Sequence, residues 1–105
     1  MDKKTALLKK LKGFKEEVGK EMALQKLILF GSQVSGKARK WSDVDLLLVS
    51  KHFSSLTFRQ RATKMYGFWN LHYPVDFLCY TPKEFNALKG QITIVREAEE
   101  TGIEI

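Results

Sequence analysis

The sequence predicts an α/β (α+β) domain, a small mixed β-sheet flanked by helices mainly on one face. Three observations predict it. Leu7, Leu11, Phe14, Val18 and Met22 recur at spacings of three and four, which is one apolar face of a helix. Three short apolar runs, at residues 26–30, 43–49 and 74–80, have the length and bounding residues of buried strands. These runs alternate with helical patterns, and strands alternating with helices bury their apolar faces as a layered sheet.

Each element has a local reason. The first helix carries the Leu7-to-Met22 stripe with lysines on its other side, and Gly13 and Gly19 weaken its end. Lys26-Leu27-Ile28-Leu29-Phe30 is the first strand, and Gly31-Ser32 turns it into a loop. The second strand opens on Asp43-Val44-Asp45 and ends in Leu46 to Val49. A helix follows over 56–71 with Phe58, Ala62, Met65 and Trp69 inward. Pro74 opens the third strand, where a missing N–H costs little. Thr81-Pro82-Lys83-Glu84 supplies an N-cap, a proline at the first helical position and a glutamate at the third, ending by Gly90. A last helix over about 91–100 stops at Gly102, and 103–105 form a final short strand. With no repeat or linker, residues 1–105 read as one domain.

Composition narrows the class. Hydrophobic residues at 44% and charged residues at 29% exclude disorder and low complexity. No apolar run approaches the length of a membrane span, and the start is not that of a signal peptide. The single cysteine forbids an internal disulfide, and a cytoplasmic location is expected. Net charge is +6, unevenly spread: residues 1–64 hold 15 of the 18 basic side chains but 6 of the 12 acidic ones. Such a front half suits polyanions, or is simply a solvated lysine face.

The chemistry concentrates at three acids. Asp43 and Asp45 stand two apart, so on a strand both carboxylates share one face. Two acids beside Leu46 to Val49 repel each other and resist desolvation unless a cation sits between them. Asp76 stands between Val75 and Phe77 in the next strand. Three hard oxygen ligands suit one or two Mg²⁺ ions, which can clamp the attacking and leaving oxygens of a displacement at phosphorus. The structural alternative makes Asp43 a cap and Asp45 an exposed edge residue. Gly31 lets the backbone approach an anion, and Ser32 adds a hydroxyl donor. Residues 31–38 also spell G-x4-G-K, but Ala38 replaces the metal-binding hydroxyl and only four residues separate it from the next strand, which argues against a P-loop.

Gly31-Ser32, ten residues, then Asp43-Val44-Asp45 resembles the signature of the polymerase-beta-like nucleotidyltransferase superfamily. The longer string with Phe30, Gly36, Ala38, Ser42 and Leu46 is similar to its smallest members, the prokaryotic minimal nucleotidyltransferases, and Asp76 falls where they carry a third carboxylate. The resemblance implies a palm-like fold and a two-metal Mg²⁺ site on Asp43, Asp45 and Asp76, which act as catalytic residues. It implies phosphate contacts from Gly31, Ser32, Lys37 and Ser42 to ATP or another NTP. Transfer of AMP to an acceptor hydroxyl follows, Asp76 taking its proton. Ser35 replaces a residue that is basic in the family, so that phosphate contact is either missing or supplied by Lys37, Arg39 or Lys40. Minimal members are often antitoxins that modify a HEPN-family toxin, a helical ribonuclease, which implies that partner here. The lack of a second domain suggests that a second subunit, in a homodimer or a hetero-oligomer, completes the substrate site.

The remaining candidates have plainer readings. His52 and His72 lack ligand spacing and belong to the surface. Cys79 is a small buried hydrophobe. Trp41 either stacks on a base or packs, and Phe58, Tyr66, Phe68, Trp69 and Tyr73 form core and a partner surface. Two rivals stand beside the enzyme: a silent module that neutralises its partner by contact, and a basic nucleic-acid-binding domain using Lys3, Lys4, Lys9, Lys10, Lys12 and Lys15.

Overall fold

The computed structural model describes residues 3–35, 43–91 and 93–105. Helix α1 spans Lys3–Gly19 and buries Leu7, Leu11, Phe14 and Val18, the stripe expected of it, with Met22 buried just beyond its end. A turn leads into strand β1, Lys26–Phe30, and Gly31 carries the chain into a four-residue helix α2, Ser32–Ser35, where a loop was expected. The N–H groups of Val34 and Ser35 both reach back to the Gly31 carbonyl, at 3.0 and 3.1 Å. Strand β2 is Val44–Val49, so Asp43 lies just before it rather than within it.

After β2 a 3-10 helix, Lys51–Ser55, turns the chain and buries Phe53, an element with no signature in the periodicity. Helix α3, Phe58–Tyr66, is shorter than the expected 56–71. Thr57 and Gln60 form a reciprocal capping box that fixes its start, and Gly67 closes it. Phe58 consequently sits in the first turn and is exposed, not inward; Met65 is inward. Strand β3 is Val75–Tyr80, and helix α4, Pro82–Leu88, starts with the expected Thr81–Glu84 box. Helix α5, Ile94–Thr101, begins later than expected because Thr93 caps it, and β4 is Ile103–Glu104.

The sheet order is β3-β2-β1-β4, with β1 antiparallel to β2 and β4, and β2 parallel to β3. The 3-10 helix and α3 supply the crossover that a parallel pair requires. Helices cover both faces, not mainly one. On one face α1, the 3-10 helix and α3 pack against Leu27, Leu29, Leu46, Leu48 and Phe77. On the other, Phe85 of α4 with Val95 and Ala98 of α5 covers Ile28, Phe30, Leu47 and Val49. Each fully buried leucine or phenylalanine contributes about 1.5–3 kcal/mol relative to exposure. Phe14 anchors the first face, stacked on Phe77 at 5.8 Å and edge-on to Trp69 at 5.3 Å.

Strand β3 lies at the sheet's edge, and α3 blunts it. Tyr66 Oη donates to the Val75 carbonyl at 2.8 Å, and Arg61 Nη1 to that of Cys79 at 3.1 Å. Arg61 also donates through Nε to the Phe53 and Leu56 carbonyls and makes a two-pronged pair with Glu84. One buried guanidinium thus ties the 3-10 helix, β3 and α4 together. Among the described residues, no helix is long and apolar enough to cross a membrane.

Candidate active site

β2 is an internal strand, so Asp45 is not the edge residue of the structural alternative. Its neighbour across β1 is Phe30, and its partner across β3 is Asp76. Residues paired in register point to one side of a sheet, so Asp45 and Asp76 stand together on the face covered farther along by α4 and α5. Asp45 is half-buried, while Asp43 and Asp76 are exposed.

Gly31 is built into the same spot. Its φ of +80° is open to glycine, and a Cβ added there would overlap Oδ2 of Asp45. The bare backbone of the bend and the Asp45 carboxylate are therefore in close apposition. Ser32, the other half of the motif, follows as the first residue of α2.

Burial pushes the Asp45 carboxyl above its ordinary value, and the charges of Asp76, Asp43 and Glu97 push it the same way. Glu97 was not expected. It lies in the first turn of α5, between Val95 and Ala98, which pack in the same cluster as Phe30. The only signal in the sequence is that helical spacing sets it next to that inner stripe. An acid held under such pressure is stabilised by a proton or by a cation.

The residue types fit a hard divalent cation, since carboxylate oxygens on one side of a sheet are what Mg²⁺ takes. Among the described residues, no three His, Cys, Asp or Glu side chains already converge on one point. Lys37 and Ser42, expected at the phosphates, and Gly36, Ala38, Arg39, Lys40 and Trp41 lie outside the described residues. Ser35 is exposed in α2, its Oγ donating to the Ser32 carbonyl at 3.3 Å.

The other candidates keep their plain readings. His52 and His72 are exposed. Cys79 is buried and its thiol is pushed up to about 12 by burial, which removes it as a nucleophile. A cleft of about 300 Å³ lies beside Leu56, Phe58, Tyr80 and Leu88, above the Arg61–Glu84 pair. Tyr80 is four residues along β3 from Asp76, roughly 13 Å at strand rise, so this cleft is at the wrong end for the acids.

A mixed sheet that sets paired carboxylates against a glycine-serine bend suits chemistry at phosphorus. The chain belongs to the nucleotidyltransferase domain family, which matches residues 9–101, and it is a nucleotidyltransferase. It is 31% identical over 77 residues to a Haemophilus influenzae protein described as "Probable protein adenylyltransferase MntA", covering 71% of this chain and 68% of that one. Its fold matches a Sulfolobus solfataricus crystal structure assigned as a nucleotidyltransferase, with a TM-score of 0.69 and 22% identity over 96% of this chain and 80% of the other.

Proposed function

We propose that this nucleotidyltransferase moves AMP from ATP to a hydroxyl on a protein, with Asp43, Asp45 and Asp76 as its catalytic carboxylates. The observation that carries the reading is the pairing of Asp45 with Asp76 directly beside Gly31. The protein acceptor is supported by the description of the Haemophilus influenzae relative, and a HEPN-family toxin as that acceptor by the resemblance of the Gly31-to-Leu46 string. Asp43, Asp45 and Asp76 would hold Mg²⁺, which when bound supplies charge neutralisation at the triphosphate and at the attacking oxygen. The Gly31–Ser32 bend would present main-chain N–H groups and a hydroxyl to the β- and γ-phosphates. Asp76, exposed on the edge strand, would take the proton of the acceptor hydroxyl as its oxygen attacks the α-phosphorus and pyrophosphate leaves. Positioning and charge neutralisation account for the catalysis, with no covalent intermediate on the protein.

Incubation with labelled ATP, Mg²⁺ and a co-expressed HEPN partner tests this. Label is expected on the partner with wild-type protein and none with Asp43→Asn plus Asp45→Asn. Mg²⁺ with a non-hydrolysable ATP analogue should stabilise the wild-type protein by about 2.7 kcal/mol at a hundredfold excess over Kd, seen as a raised melting temperature, and leave the double variant unmoved. No label, with the partner still neutralised by the double variant, overturns catalysis in favour of inhibition by contact.

A further inference from the structure

We propose that the cleft between α3 and α4 is a second binding site, for a neutral planar ring that carries a hydrogen-bond acceptor beside an N–H donor. The cleft measures about 300 Å³, at the small end of ligand pockets. It opens at the Tyr80 end of β3, whereas the acids stand at the Asp76 end.

The walls of the cleft are apolar and call for a ring. Phe58 is 46% exposed in the first turn of α3, and half-buried Leu56, Tyr80 and Leu88 line the same cleft. An exposed aromatic ring standing alone needs no explanation. Phe58 does not stand alone: its ring lies 5.5 Å from that of Tyr80, tilted by 50°, with two leucines in the same lining. A flat ring laid on these two gains stacked or edge-on contact that an aliphatic group does not.

The floor is polar and sets what the ring must carry. A guanidinium has five N–H donors. Arg61 Nε serves the Phe53 and Leu56 carbonyls, Nη1 the Cys79 carbonyl and Glu84 Oε1, and Nη2 only Glu84 Oε2, at 3.3 Å. One Nη2 N–H therefore has no acceptor among the described residues, although the side chain is only 8% exposed. The Tyr80 hydroxyl has none either, and burial pushes its titration up, so it stays a donor at neutral pH. Glu84 Oε1 accepts from Arg61 and from the Thr81 N–H, but Oε2 accepts from Arg61 alone and has room for one more donor. An occupant with a carbonyl oxygen beside an N–H answers all three groups, and a nearly buried donor is unfavourable until something accepts from it. The Arg61 and Glu84 charges cancel, so an ionised ligand would bring a charge into the cleft with no counter-charge to spare.

Benzamide and uridine are the probes, each a neutral ring with that edge. Methyl benzoate, which lacks the N–H, and benzoate, which is charged, are the controls. Each is titrated into the whole chain, with binding read from the Leu56 and Leu88 methyl resonances and the Gly31 amide. At least one probe is expected to shift both leucines and leave Gly31 unmoved, with a Kd on the order of 1 mM for so small a ligand. Tighter binding of uridine identifies the ligand as a nucleobase, and tighter binding of benzamide as an aromatic amide outside a nucleotide. Both controls should bind about fivefold more weakly, as should Tyr80→Phe protein, which loses one hydroxyl and keeps its ring. Phe58→Ala, at an exposed position, should weaken binding with the melting temperature little changed. Asp43→Asn plus Asp45→Asn protein should bind the probes like wild type. Leucines that neither probe shifts, controls that bind as well as the probes, or binding indifferent to both Tyr80→Phe and Phe58→Ala overturn the proposal. So does binding lost in the Asp43/Asp45 variant, which would place the probes at the acids.

Discussion

Gly31→Ala separates the cost of a backbone conformation from the cost of a misplaced carboxylate. At φ +80° a non-glycine residue is penalised by about 1–2 kcal/mol. The added methyl would also overlap Oδ2 of Asp45, with Cγ at 3.2 Å and Cβ at 3.4 Å. Oδ2 is the tip of a side chain, so the overlap is relieved by swinging the carboxylate aside, which adds little to the stability loss. The expected fall in melting temperature is therefore roughly 5–15 °C for a domain of this size. Transfer should fall much further, on the order of a hundredfold in folded protein, because displacement of a reacting group by about 1 Å has that effect. Thermal melting and single-turnover label transfer, both well below the transition, measure the two separately. In an Asp45→Asn background the same alanine should remove almost no further activity, since the two residues act as one unit. Activity that falls only in step with the unfolded fraction would refute the coupling, and an unchanged melting temperature would refute the left-handed bend.

Other substitutions follow from the same electrostatics and packing. Asp45→Asn should abolish transfer yet stabilise the protein at neutral pH, by about 0.5–2 kcal/mol in the range of single stabilising changes. The sign follows from the raised carboxyl: its charged form is the unfavourable one in the fold, so the cost is present above its titration and disappears as pH falls and it protonates; melting of both proteins across pH should converge in acid. Arg61→Leu should cost about 1–3 kcal/mol in denaturant unfolding, because it removes the side-chain donor of the Leu56 and Cys79 carbonyls. Glu84→Gln should cost well under half of that, since the Glu84 side chain is 43% exposed. The Arg61 hydrogen bond holds the Glu84 carboxyl below its ordinary range, so its stabilisation is present above that range and lost as pH falls through the lowered titration, and Glu84→Gln should flatten that part of the acid profile.

The elements legible in the sequence were those whose reasons are local. The Leu7-to-Val18 stripe, the run at Lys26–Phe30 and the Thr81–Glu84 box each fix their element through neighbours a few residues away. The placement of Asp45 and Asp76 on neighbouring strands was legible for the same reason, since the apolar runs around them are local. What stayed hidden depends on distant partners. Phe58 fits an inward helical stripe, yet the Thr57–Gln60 box starts the helix at Phe58 and leaves it on the outside. The 3-10 helix is held by Ser50, whose Oγ donates to Ala23 across 27 positions, and no periodicity encodes that.

The same distinction governs the charges, and it explains why Arg61, Glu97 and the α1 lysines differ in kind. Arg61 carries no signal in the sequence, and its four carbonyl and carboxylate partners come from three elements, so its role exists only in the fold. Glu97 acquires its influence on Asp45 only because α5 returns across β1. The lysines of α1 divide: Lys15 donates to the Ile105 carbonyl and Lys10 lies over the Tyr73 ring, whereas Lys4, Lys9 and Lys12 stay exposed and outside the ion pairs of the described residues. A buried charge that finds its partners when the chain folds is explained by stability.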